Sequence, residues 1–177
     1  MFKETRIRGS SLHESIRSSQ LKIYDGDQIR KSIYSKSFHL SSFLGKVNFP
    51  KSDWGEINRY LSDGNNVCLA LVNTQRGSIS GIVAGTNVQY CTQSALRINI
   101  LAVEHGSVNR ERMSEVLDVL KQKSDEKYKN CVGIVMTAKT GNLGDMRLIN
   151  SIPWSADAVY TTDSQKGTYT VYDPIVS

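Results

Sequence analysis

The sequence predicts a mixed α+β domain: one sheet of parallel and antiparallel strands with helices on its faces, in the order β-α-α-β-β-β-α-β-α-β-β. Three observations lead there. Short apolar runs bounded by turn residues recur at 67–72 and 131–136, as strands buried on both faces require. Between them, Met113, Val116, Leu117 and Leu120 sit at i, i+3, i+4 and i+7, the stripe of an amphipathic helix. With 39% of its 177 residues hydrophobic, the chain holds enough apolar material for a single packed core.

Leu21 to Tyr24 read as the first strand. From Asp27 to about Phe43, an acidic start followed by Ile29, Ile33, Tyr34 and Phe38 at helical spacing predicts one long helix. Ser52-Asp53-Trp54-Gly55-Glu56 reads as the capped start of a second helix, which carries Ile57, Tyr60 and Leu61 and ends at Asp63-Gly64-Asn65. Val67 to Val72 is a buried strand, and Gln75-Arg76-Gly77 turns the chain into another, Ile79 to Tyr90, where Gly81 and Gly85 allow close approach. In the third strand, Leu96 to Val103, strongly apolar positions fall at Leu96, Ile98 and Ile100, then at Leu101 and Val103. That one-residue slip predicts a β-bulge near Ile100. Asn109 suits the N-cap of the helix through Leu120. Cys131 to Met136 is again a strand, and Gly141 to Ile152 a short helix stopped by Pro153. Strands around Ala158-Val159-Tyr160 and Gly167 to Tyr172, joined by a turn near Asp163 to Lys166, close the domain. It spans residues 20–177, without internal repeat or dividing linker.

Residues 1–19 form a basic, Ser-rich arm with neither helical nor strand periodicity, expected to engage a protein partner or a second copy of the chain. The net charge of +5 is uneven: residues 1–60 hold eleven Lys/Arg against six Asp/Glu, and the remainder balances. Interleaved with Tyr24, Tyr34, Phe38, Phe43, Phe49, Trp54 and Tyr60, that excess admits a nucleic-acid surface, but it is thinly spread, and a solvated face over an aromatic core is preferred. Cys68, Cys91 and Cys131 are odd in number and lack C-x-x-C spacing. They read as reduced thiols, Cys68 and Cys131 within the core. His13, His39 and His105 have no ligand spacing, so no metal site is expected. No apolar run approaches membrane-spanning length, and no apolar stretch follows the N-terminal charges. A soluble, cytoplasmic protein without a membrane partner is expected.

The element order resembles the GNAT superfamily of acyl-CoA-dependent N-acyltransferases over residues 20–172. The bulged strand falls where that family splays two neighbouring strands to admit the cofactor's pantetheine arm. Asn142, Leu148 and Trp154 in N-L-G-D-M-R-L-I-N-S-I-P-W occupy the Asn, Leu and aromatic positions of the family's N-x-x-A-x-x-L-Y-x-K-x-G-F, whereas Ile149 replaces the Tyr. The resemblance implies that a phosphate loop follows Val103. Its usual Arg and glycines are absent, with Val108, Asn109, Glu111 and Met113 in the signature region. On this alignment Val103, Gly106, Ser107, Arg110, Arg112 and Asn142 are the candidate cofactor contacts, the arginines replacing bare amides on the diphosphate. Glu104 is the candidate base, beside His105, and Tyr160 or Tyr128 stands in for the family's acid. The stretches 123–135 and 145–160 also resemble GNAT-like virion-associated proteins of short-tailed bacteriophages, which implies location in a virion.

Glu111 sets a negative charge within a turn of the expected diphosphate, at about 1–4 kcal/mol of repulsion. The sequence reading therefore favours a GNAT-fold protein with an eroded acyl-CoA site, a non-catalytic binding or assembly component needing no cofactor. The alternatives are an active N-acetyltransferase using acetyl-CoA and an amine, and a nucleic-acid-binding module.

Overall fold

Among the described residues seven strands form one sheet: β1 (Leu21–Asp25), β2 (Val67–Asn73), β3 (Ser78–Tyr90), β4 (Gln93–Val103), β5 (Cys131–Lys139), β6 (Val159–Asp163) and β7 (Thr168–Pro174). Their spatial order is β1-β2-β3-β4-β5-β7-β6, antiparallel throughout except for the parallel β4–β5 pair. Among the described residues five α-helices flank it: α1 (Gly26–Tyr34), α2 (Leu40–Lys46), α3 (Trp54–Ser62), α4 (Arg110–Lys127) and α5 (Leu143–Ser151). The structure, a computed structural model, describes residues 21–34, 39–104 and 106–176. The predicted arm at 1–19 and His105 lie outside them. No helix among the described residues is long and apolar enough to cross a membrane.

The mixed α+β class read from the sequence is the class observed, with one helix more between β1 and β2 than the expected order holds, and the alternation of β2 explains the layering. Val67, Leu69 and Leu71 join Met113, Val116, Leu117, Leu120 and Ile149 in one core, under α4 and α5. Cys68, Ala70 and Val72 join Ile29, Phe43, Leu44, Ile57 and Leu61 in the other, under α1 to α3. Both faces of β2 are thus covered, which is why its apolar run is unbroken. Cys68 and Cys131 are buried as expected, and Cys91 is exposed.

The single helix expected from Asp27 to Phe43 is instead two. His39, at φ −106° and ψ 86°, is not helical, and α2 starts after it. A straight helix would separate Ile29 from Phe43 by about 21 Å. The break lets both reach the same core. Asp53 stands at the N-cap of α3 as expected but makes no side-chain cap bond, because the 3-10 turn Lys51–Asp53 already leads into the helix. Asn109 does cap α4, its side-chain oxygen accepting the Arg112 N–H at 2.9 Å.

The bulge is present one residue before the apolar slip. Ala84 pairs with Ile100 but Gly85 with Ile98, which leaves Asn99 as the extra residue. Ile98 and Leu101 consequently share one core while Ile100 enters the other. Gly85 sits against this bulge so closely that a Cβ would lie 2.4 Å from the Arg97 carbonyl oxygen. Just beyond, β4 and β5 part. Their last pair is Arg97 with Val135, after which β4 continues to Val103 on β3 alone and β5 to Lys139 on β7 alone.

One buried charge pins the helical layer to the far strands. Asp173 of β7, fully buried, accepts from Lys121 Nζ of α4 at 2.8 Å, the Ser155 N–H at 2.9 Å and Ser155 Oγ at 2.5 Å. Burial pushes this carboxyl up, but the bonds from Lys121 and Ser155 outweigh it and hold Asp173 below the ordinary carboxylate value.

Candidate functional site

Between the end of β4, the loop that follows it and the helices α4 and α5 lies a cleft of about 340 Å³. Val103 and Glu104 bring the end of β4 to it, and Gly106 and Val108 the following loop. Asn109, Arg110 and Met113 enter from the first turn of α4, and Arg147, Leu148 and Ser151 from α5. Gly106 holds φ +73°, a left-handed conformation natural to glycine, and nothing lies within 4 Å of where its Cβ would be. The loop can therefore turn sharply while leaving the cleft open.

The electrostatics favour an anion. Arg110 and Arg147 are both exposed, and among the described residues neither guanidinium is in an ion pair. Among the described residues Glu104 is the only acidic side chain lining the cleft. Two cations against one carboxylate leave it positive, at the N-terminal end of α4, where the helix dipole adds to the field. Part of the backbone donor set is spent: the Asn109 cap takes the Arg112 N–H, and the Met113 N–H closes onto the Asn109 carbonyl at 3.0 Å. Anion binding here would rest on side chains more than on bare amides.

Of the candidates named from the sequence, the structure brings Val103, Glu104, Gly106 and Arg110 into this cleft. Ser107 is adjacent, its N–H donating to the Glu104 carbonyl at 3.2 Å, but it does not line the space. Arg112 turns to Glu115 at 2.5 Å. Asn142 caps α5 by accepting the Asp145 N–H at 3.1 Å, which ties its side chain to the helix rather than to the cleft. Tyr160 is on β6 at the sheet edge, 54% exposed and stacked on Tyr169 with ring centroids 6.1 Å apart. Tyr128 is buried, donates its hydroxyl to the Asn65 carbonyl at 2.6 Å, and is pushed up to about 12 by burial. Among the described residues no tyrosine lines the cleft.

Glu111, expected to oppose a diphosphate, is exposed and outside the cleft lining. Arg147 and Ser151 were not signalled by any spacing around the loop. Their signal was helical: both lie off the face that sinks Ile149 and Ile152 into the core. Among the described residues no three His, Cys, Asp or Glu side chains gather to hold a metal ion.

The chain matches no protein-family model and no curated protein sequence. Solved structures do resemble it. An aminoglycoside 6'-acetyltransferase type Ii superposes with a TM-score of 0.55 at 11% identity, covering 89% of this chain and 97% of that one. A GNAT-family acetyltransferase from Streptococcus pneumoniae gives 0.52 at 17% identity over 88% of this chain and 99% of its own. An aminoglycoside 6'-N-acetyltransferase from Enterococcus faecium gives 0.54 at 11% identity, over 88% and 98%. The mixed α+β arrangement with its seven-stranded, mostly antiparallel sheet is thus the GNAT fold.

Proposed function

We propose that the chain is an acyl-CoA-dependent N-acyltransferase whose phosphate contacts have moved from loop amides to side chains. The observation that carries this is the cleft itself: open, positive, and set between the end of β4 and the N-terminal turn of α4, with Arg110 and Arg147 in no ion pair among the described residues. The residues fit a coenzyme A group. Two guanidiniums suit a diphosphate, while Val103, Val108, Met113 and Leu148 give an apolar wall for the uncharged arm. An acyl thioester, when bound, supplies an already activated acyl group.

The chain's own part is then threefold. Arg110 and Arg147 neutralise phosphate charge and fix the ligand's orientation. The apolar wall excludes water from the arm. Glu104, half-buried at the end of β4, accepts the proton that the attacking amine releases. A second reading, ligand binding without transfer by a binding or assembly component, is favoured by Ile149. It stands, fully buried, where the resemblance places a tyrosine proton donor.

Thiol release from acetyl-CoA with a panel of primary amines separates the two. Release that depends on the amine and falls in Glu104→Gln supports transfer. Silence with every amine, with coenzyme A still bound, leaves the binding reading, and silence without binding removes both.

A further inference from the structure

We propose that two copies of the chain associate through β6, each adding its edge strand antiparallel to the other about a two-fold axis at Thr161. Among the described residues β6 pairs only with β7, so its outer edge presents unpaired backbone donors and acceptors. Natural edges are usually blunted by Lys, Pro or a bulge. Val159-Tyr160-Thr161-Thr162-Asp163 has none of these, and its single charge comes last. Val159 is 55% exposed and Tyr160 54%, apolar surface that a monomer leaves in water. The opposite edge, β1, carries Lys22 within its five residues and is the poorer template.

The occupant that fits is β6 itself. Centred on Thr161, self-pairing sets Thr161 against Thr161, Tyr160 against Thr162 and Val159 against Asp163. No like charges meet, and the central threonines form a favourable cross-strand pair. Thr137, Thr170 and Thr161 already form a row across β5, β7 and β6, with the Thr137 and Thr170 hydroxyls 3.0 Å apart. The axis extends that row unbroken into the second copy. Asp157, just before β6, and Lys166, just after it, are both exposed. Antiparallel pairing brings the lysine of one copy toward the aspartate of the other. A five-residue strand pair buries less than a standard interface, so the dimer should be weak, dissociating in the micromolar range.

Residue 161 meets itself only in this arrangement, which makes charge substitution there diagnostic. Sedimentation velocity across the micromolar range should show wild type passing from monomer to dimer. Thr161→Glu and Thr161→Lys alone should each weaken the dimer by about tenfold or more, and an equimolar mixture of the two should restore it. A wild-type chain that stays monomeric, a dimer indifferent to both charges, or a mixture that fails to recover overturns the proposal. Hydrogen exchange on the wild type is an independent check: amides of 159–163 should gain protection as concentration rises, and unchanged protection contradicts β6 pairing. An assembly with a different protein's strand would appear as wild-type monomer and so counts against it.

Discussion

Replacing Asp173 by Ala should cost the fold about 3 kcal/mol. Removing one partner of a buried ion pair typically costs about 3–5 kcal/mol because the other charge is stranded. The Lys121 side chain keeps 16% exposure, which relieves part of that penalty and sets the estimate at the lower end. At roughly 2–4 °C per kcal/mol for a domain of this size, the melting midpoint should fall by about 6–12 °C. Lys121→Met should cost a similar amount, since it leaves a buried carboxylate held by Ser155 alone. The double variant should cost less than the sum, because two apolar groups no longer strand a charge. The pH dependence follows from the sign. Asp173 titrates below its unfolded value of about 3.9, so its contribution is fully present above that pH and is lost as pH falls through the lower folded value. Urea unfolding of wild type and Asp173→Asn should show a constant gap from neutral pH down to about pH 5, closing only in stronger acid. An Asp173→Ala variant within about 0.5 kcal/mol of wild type, or a gap that widens on acidification, would refute the reasoning.

Gly85→Ala should destabilise by about 1–3 kcal/mol in urea unfolding, since its Cβ would press on the Arg97 carbonyl oxygen at the bulge; an unchanged midpoint would contradict the close approach. A thiol reagent applied to the native protein should modify Cys91 alone. Burial pushes the Cys68 thiol up to about 11 and raises that of Cys131, so both should react only in denaturant. Thr92→Gly should stabilise the β3–β4 hairpin by about 1 kcal/mol, read as a higher midpoint, because Thr92 holds φ +69°, where a β-branched residue is strained.

Much of the fold was legible because burial on two faces leaves a continuous apolar signature: 67–72 and 131–136 could hardly be anything else. The bulge was legible only to within one residue. Leu96, Ile98, Ile100 and Leu101 are all apolar, so nothing in their identities says which core Ile100 enters. The break before α2 was hidden for a related reason. It lets Ile29 and Phe43 join one core, a tertiary demand that local spacing does not express. In the cleft, Val103, Glu104, Gly106 and Arg110 were readable because they are nearly contiguous. Arg147 and Ser151 come from a later helix and meet them only through the packing of α4 and α5 on one face. The resemblance implied a cofactor contact at Asn142, yet an Asn before a helix serves equally as a cap, and the cap is what the geometry uses.

Calorimetric titration of coenzyme A, with pantetheine as the phosphate-free control, decides whether the positive cleft takes a phosphorylated ligand. Coenzyme A should form a micromolar complex, pantetheine should bind far more weakly, and Arg110→Ala and Arg147→Ala should each lose about tenfold in affinity. No heat with coenzyme A, or equal affinity for pantetheine, would contradict the assignment of the positive cleft to a phosphorylated ligand.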